Sequence, residues 1–102
     1  MLQSFLETYL PQITALLHEH KVTKAYVFGS AVTPAFNEHS DIDLLITLET
    51  GLSPLEKGEL MWNLQFALED LLQREVDLLQ ESTPRNPYFI NEINAGKVAI
   101  YE

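Results

Sequence analysis

Asp41 and Asp43 stand two residues apart at the head of an apolar run, Asp41-Ile42-Asp43-Leu44-Leu45-Ile46. In an extended strand alternate side chains share a face, so both carboxylates project to one side while Ile42 points to the other, into a core. Two carboxylates so close repel at neutral pH, and a divalent cation relieves that repulsion. Mg²⁺ is the natural ion: it prefers oxygen ligands and takes one or two carboxylates together with substrate phosphates. Such ions can clamp the attacking and leaving oxygens of an in-line phosphoryl displacement. A third carboxylate completes the set. Asp77 is the candidate, alone inside the apolar Val76-Asp77-Leu78-Leu79, with Glu75 as the alternative on the same alternation.

Gly29-Ser30 lies ten residues before Asp41 and follows the apolar Ala25-Tyr26-Val27-Phe28. Glycine lets a backbone approach a phosphate closely, and its amide and the Ser30 hydroxyl can donate to phosphate oxygens. Taken singly these features are ordinary, since Gly-Ser after a strand is usually a turn and a D-x-D pair is common in surface loops. Their combination points to a phosphate-and-metal site built from Gly29, Ser30, Asp41, Asp43 and Asp77.

The elements that must position these groups alternate between helical and extended patterns, which implies an α/β fold. Residues 2–19 carry apolar side chains at three- and four-residue spacing, with Pro11 expected to kink the helix or divide it. Strands are expected at 24–28, 41–48 and 75–80, and a last one at 97–101. Residues 31–40 and 82–87 read as irregular, with prolines as breakers. Residues 54–73 form the clearest helix, entered through Ser53 as N-cap, Pro54 at the first position and Glu56 at the third. Its apolar stripe runs through Leu55, Leu60, Met61, Leu64, Leu68, Leu71 and Leu72, with Trp62 and Phe66 as a second apolar edge suited to a core or a protein partner. Residues 88–95 read as a short helix ended by Gly96. His18, His20 and His39 lack metal-site spacing, and His18 and His20 are expected at the surface.

The chain has 102 residues, no cysteine and 46% hydrophobic residues, so one domain over 1–102 is expected, free of disulfides and suited to the cytoplasm. No signal peptide or membrane span is read from it. Fifteen acidic residues against six Lys and Arg give a net charge of −9. Such a surface repels a phosphate backbone, which argues against autonomous binding of long nucleic acids and favours cations or a basic protein partner.

The segment FGSAVTPAFNEHSDIDLLI, residues 28–46, resembles the minimal nucleotidyltransferases of the DNA polymerase β-like superfamily, whose motif is G-S-x₁₀-D-x-D. The resemblance extends through Val76-Asp77-Leu78, where the family carries its third carboxylate. It implies a small mixed β-sheet flanked by helices. Gly29 and Ser30 would contact nucleotide phosphates. Asp41 and Asp43 would bind Mg²⁺, and Asp77 would act as a ligand or as general base. It further implies an antitoxin of the MntA type, paired with a HEPN-domain toxin and transferring AMP from ATP to a toxin tyrosine. Many relatives carry an Arg and a Gly soon after the Ser, whereas this chain has Ala31-Val32-Thr33-Pro34; Lys24, Arg74 and Arg85 are the candidate replacements. Two other readings stand beside this one. The first is an acidic antitoxin that acts by direct binding, drawn from the charge and the missing Arg. The second is a nucleotidyltransferase acting on a small molecule.

Overall fold

In the computed structural model, residues 4–29, 40–81 and 87–102 are described, the side chains of 89 and 92–95 excepted. The expected positions Ser30 and Arg85 therefore lie outside the described residues. The chain runs α1 (Ser4–Glu19), β1 (Val22–Phe28), β2 (Ile42–Leu48), α2 (Pro54–Leu72), β3 (Val76–Gln80), α3 (Pro87–Gly96) and β4 (Val98–Tyr101). The four strands form one sheet in the order β3-β2-β1-β4. β1 pairs antiparallel with β2 and β4, and β2 pairs parallel with β3, so the sheet is mixed, as expected. A parallel pair needs a long crossover, and α2 supplies it.

Alternation sorts the sheet into two faces. Ile42, Leu44, Ile46 and Leu48 of β2 enter the main core with Val27 of β1 and Val76 of β3. Leu6, Ile13 and Leu17 of α1 and Leu64, Leu68 and Leu72 of α2 cover that face. The other face carries a smaller cluster, Phe28 and Leu45 with Tyr26 and Leu79. Asp43 and Asp77 share the parity of Leu45 and Leu79, so they belong to this second face.

Pro11 does not divide α1, which runs unbroken across it. Pro11 is exposed, while Leu6, Ile13 and Leu17 are buried on the opposite side. Helices in proteins are held mainly by such a packed face, and here it outweighs the lost hydrogen bond. The start of α2 follows the sequence closely: the Glu56 amide donates to Ser53 Oγ at 3.2 Å, and Pro54 opens the helix. Its end uses Gln73 in the left-handed conformation, φ 54°, with the Gln73 amide donating to the Glu69 carbonyl at 2.8 Å.

Two surface expectations are corrected. Leu55 is 74% exposed and lies off the buried stripe of α2. In the first turn, two residues after the N-cap, it points away from the sheet that Leu64, Leu68 and Leu72 contact. His20 is half-buried rather than free at the surface, with its Nδ1 2.7 Å from the Leu16 carbonyl. His18 is exposed as expected.

The two faces of α2 make opposite predictions. Leu68→Ala empties a fully buried site and should cost about 2–5 kcal/mol in urea unfolding. Leu55→Ala, at an exposed position, should change stability by less than about 0.5 kcal/mol.

Candidate active site

Strand pairing gathers the acidic residues at one end of the sheet. β1 finishes where antiparallel β2 begins, and Phe28 pairs with Asp43. β3 begins beside β2 in parallel, and Asp43 pairs with Asp77. Neighbouring strands lie about 4.8 Å apart, so the two carboxylates spring from adjacent backbones on one face. Asp41 precedes the first paired residue of β2 and is exposed; Asp43 is half-buried and Asp77 exposed. Ile42 points into the core with no measurable exposure, as the alternation requires.

Asp43 is the electrostatic centre of the group. Burial pushes its carboxyl above the usual value of 3.8, and the charges of Asp77 and then Asp41 push it in the same direction. Both neighbours therefore disfavour the charged form of Asp43. Gly29, at the end of β1, closes in on the same carboxylate. Its φ is +72°, a region costly for residues with a side chain, and a Cβ built there would collide with Asp43 Oδ2. The glycine thus permits both the turn and the close approach of β1 to Asp43.

A surface hollow of about 300 Å³ opens alongside, lined by Asp41, Gln65, Glu69, Glu75, Val76 and Asp77. Glu75 and Glu69 both have structural tasks at its floor. The Ile42 amide donates to the Glu75 carbonyl at 3.0 Å, and the Val76 amide donates to Glu69 Oε2 at 3.1 Å. Together they fix the starts of β2 and β3, hence the positions of Asp43 and Asp77. Glu69 was not apparent from sequence, because the amide it accepts lies seven residues away past a left-handed cap.

Arg74, a candidate replacement for a phosphate-binding Arg, is engaged elsewhere. Its guanidinium lies 4.5 Å from the Phe5 ring centroid, and Nη1 donates to the Ser40 carbonyl at 2.9 Å. Arg74 thereby ties the residue before Asp41 to α1. Lys24 is exposed and pairs with Thr47, toward the opposite end of the strand pair from Asp43.

The donor set consists of carboxylate oxygens, the ligands a hard divalent cation selects. Among the described residues, no three His, Asp or Glu side chains stand together closely enough to enclose an ion. Asp41, Asp43 and Asp77, all described, are thus not brought close enough to enclose an ion by themselves.

A glycine turn beside clustered carboxylates on a mixed sheet is the frame of a nucleotidyltransferase. The chain belongs to the polymerase β nucleotidyltransferase family, which it matches over residues 11–102. It is 37% identical over 68 residues to a protein of Methanocaldococcus jannaschii named as a protein adenylyltransferase, covering 67% of this chain and 69% of that one. Among solved structures it resembles a minimal nucleotidyltransferase with a TM-score of 0.73 and 28% identity, over 96% of this chain and 95% of that one. It also shares its fold with the chain matched in a Shewanella oneidensis complex of a tri-AMPylated HEPN toxin and an MNT antitoxin. There the TM-score is 0.64 at 20% identity, over 93% of this chain and 71% of the other.

Folded Asp43 keeps its proton to higher pH than the unfolded chain does, so its ionisation lowers stability as pH rises from 3.8 through the folded pKa. Asp43→Asn should accordingly raise the melting temperature at neutral pH in chelator-containing buffer. The gain should shrink as the pH falls and Asp43 takes up its proton. Gly29→Ala should cost at least about 1–2 kcal/mol in urea unfolding, from the left-handed conformation alone.

Proposed function

We propose that this nucleotidyltransferase transfers AMP from ATP to a tyrosine hydroxyl of a HEPN-domain toxin, silencing it as the antitoxin of the pair. The observation that carries the reading is the parallel register setting Asp77 beside Asp43, under the glycine turn at Gly29. The adenylyltransferase name of the M. jannaschii relative and the AMPylated toxin of the S. oneidensis complex support the choice of nucleotide and acceptor. This reading sets the protein in the cytoplasm. No helix among the described residues is long and apolar enough to cross a membrane.

In this reading Asp43 and Asp41 would hold Mg²⁺, with Asp77 completing the set. Bound there, the ion supplies charge neutralisation and polarisation at the transferring phosphoryl group. Gly29 and Ser30 receive the phosphates, the glycine leaving the backbone bare where they approach. Asp77, exposed beside Asp43, is open to an incoming acceptor and takes the proton of the attacking hydroxyl. The acceptor oxygen bonds to the α-phosphorus, the bond from the α-phosphorus to the bridging oxygen breaks, and pyrophosphate leaves. Arg74 acts at a distance by holding Ser40 and so Asp41.

The test is label transfer from [α-³²P]ATP to a purified HEPN partner with Mg²⁺. Wild type should label the partner, and Asp43→Asn should fall to background. Asp77→Asn should lose about 10²–10⁴-fold if it is the general base. Equal labelling by wild type and Asp43→Asn would remove the case for catalysis at this site. Protection of cells by Asp43→Asn would favour neutralisation by contact alone.

A further inference from the structure

α2 carries apolar side chains on two opposite faces. Its inner face packs Leu64, Leu68 and Leu72 on the sheet. Directly opposite, at helical spacing, stand Leu55, Trp62 and Phe66, exposed by 74%, 65% and 55%. Trp62 and Phe66 meet edge to face with ring centroids 5.0 Å apart. A helix apolar on both sides is the pattern of one covered on both sides.

A second observation points to close approach from outside. Gly58 lies one turn after Leu55 and one turn before Trp62, inside the helix, and a Cβ there would meet nothing within 4 Å. Glycine inside a helix is unfavourable relative to alanine, and among the described residues no contact requires it here. It leaves a notch between Leu55 and Trp62, in an apolar hollow of about 480 Å³ that also includes Glu59. Aromatic anchors beside a notch, edged by charge, are the makings of an interface hot spot.

Charge selects the occupant. Glu56, Glu59 and Asp70 are exposed along the border of this face, on a chain of net charge −9. A second copy would set the same acids against one another, and a nucleic acid would add phosphates. We propose that the outer face of α2 is the docking surface for the HEPN-domain partner, which meets it with an apolar ridge bordered by Arg and Lys. This rests on the toxin reading above, and it assigns the contact to a surface formed by α2 residues rather than by the carboxylates.

Trp62 is the sole tryptophan, so 5-fluorotryptophan labelling gives one ¹⁹F resonance from the full chain. In the free protein that signal should show the H₂O/D₂O shift of an exposed ring and should not depend on protein concentration. Forming the complex with unlabelled HEPN partner, followed by light scattering, should move the resonance and suppress the solvent shift. Gly58→Leu, which fills the notch, should leave the free chain at least as heat-stable as wild type and weaken partner binding tenfold or more. A complex that forms with the Trp62 signal unchanged, or that binds Gly58→Leu as tightly as wild type, would overturn this surface and leave the transfer reading standing. A signal that moves with concentration of the chain alone would replace the partner with a second copy. Failure of any complex to form would remove the toxin partner and this surface together, while label transfer to another acceptor would still report catalysis.

Discussion

The parallel register of β2 and β3 sets Asp43 against Asp77 on one face of a sheet whose other face is a hydrocarbon core. Neither carboxylate can withdraw by sliding its strand. A shift of one residue would turn Ile42, Leu44 and Ile46 out of the core, at about 1.5–3 kcal/mol for each side chain exposed. Burial of apolar neighbours thus holds like charges together that would otherwise separate. Burial first, and then the charges of Asp77 and Asp41, raise the affinity of Asp43 for its proton. In the proposed reading, a cation with phosphate ligands would relieve that repulsion.

The surrounding contacts preserve this opposition. Gly29 brings β1 against the Asp43 carboxylate where any other residue would collide. Glu69 accepts the Val76 amide and Glu75 accepts the Ile42 amide, which pins both strands at their first residues. Arg74 holds Ser40 from the far side while stacked on Phe5 of α1. These groups act at the starts of the strands, within a few residues of the acids they position. Stability and function are divided between the two sides of the sheet: helices cover the one, and the acids lie at the end of the other.

Much of this was legible in the sequence because it depends on short-range periodicity. The alternation in Asp41-Ile42-Asp43-Leu44 fixed which side chains share a face, and the Ser53-Pro54-Leu55-Glu56 cap marked the start of α2 to the residue. The parallel crossover needed only a helix of the right length between two apolar strands. Contacts that depend on three-dimensional placement were not legible. Nothing in the string shows that the Gly29 backbone faces Asp43, that Arg74 reaches Ser40 across 34 positions, or that Glu69 reaches past the helix end to Val76. The apolar stripe read for α2 includes Leu55, but apolar character near a cap does not reveal which way the first turn faces. The sequence leaves open whether Pro11 kinks or divides the helix, because it shows the missing amide and not the packing of Leu6, Ile13 and Leu17 that holds α1 unbroken across it.

The central claim is that Asp41, Asp43 and Asp77 serve one metal–nucleotide site. Anomalous diffraction from crystals grown with Mn²⁺ and a non-hydrolysable ATP analogue addresses it directly. A manganese peak bonded to Asp43, with Asp41 or Asp77 and a phosphate oxygen in its shell, is the predicted result. A peak held by Glu69 and Glu75 with Asp43 uninvolved, or nucleotide bound away from Gly29, would contradict it.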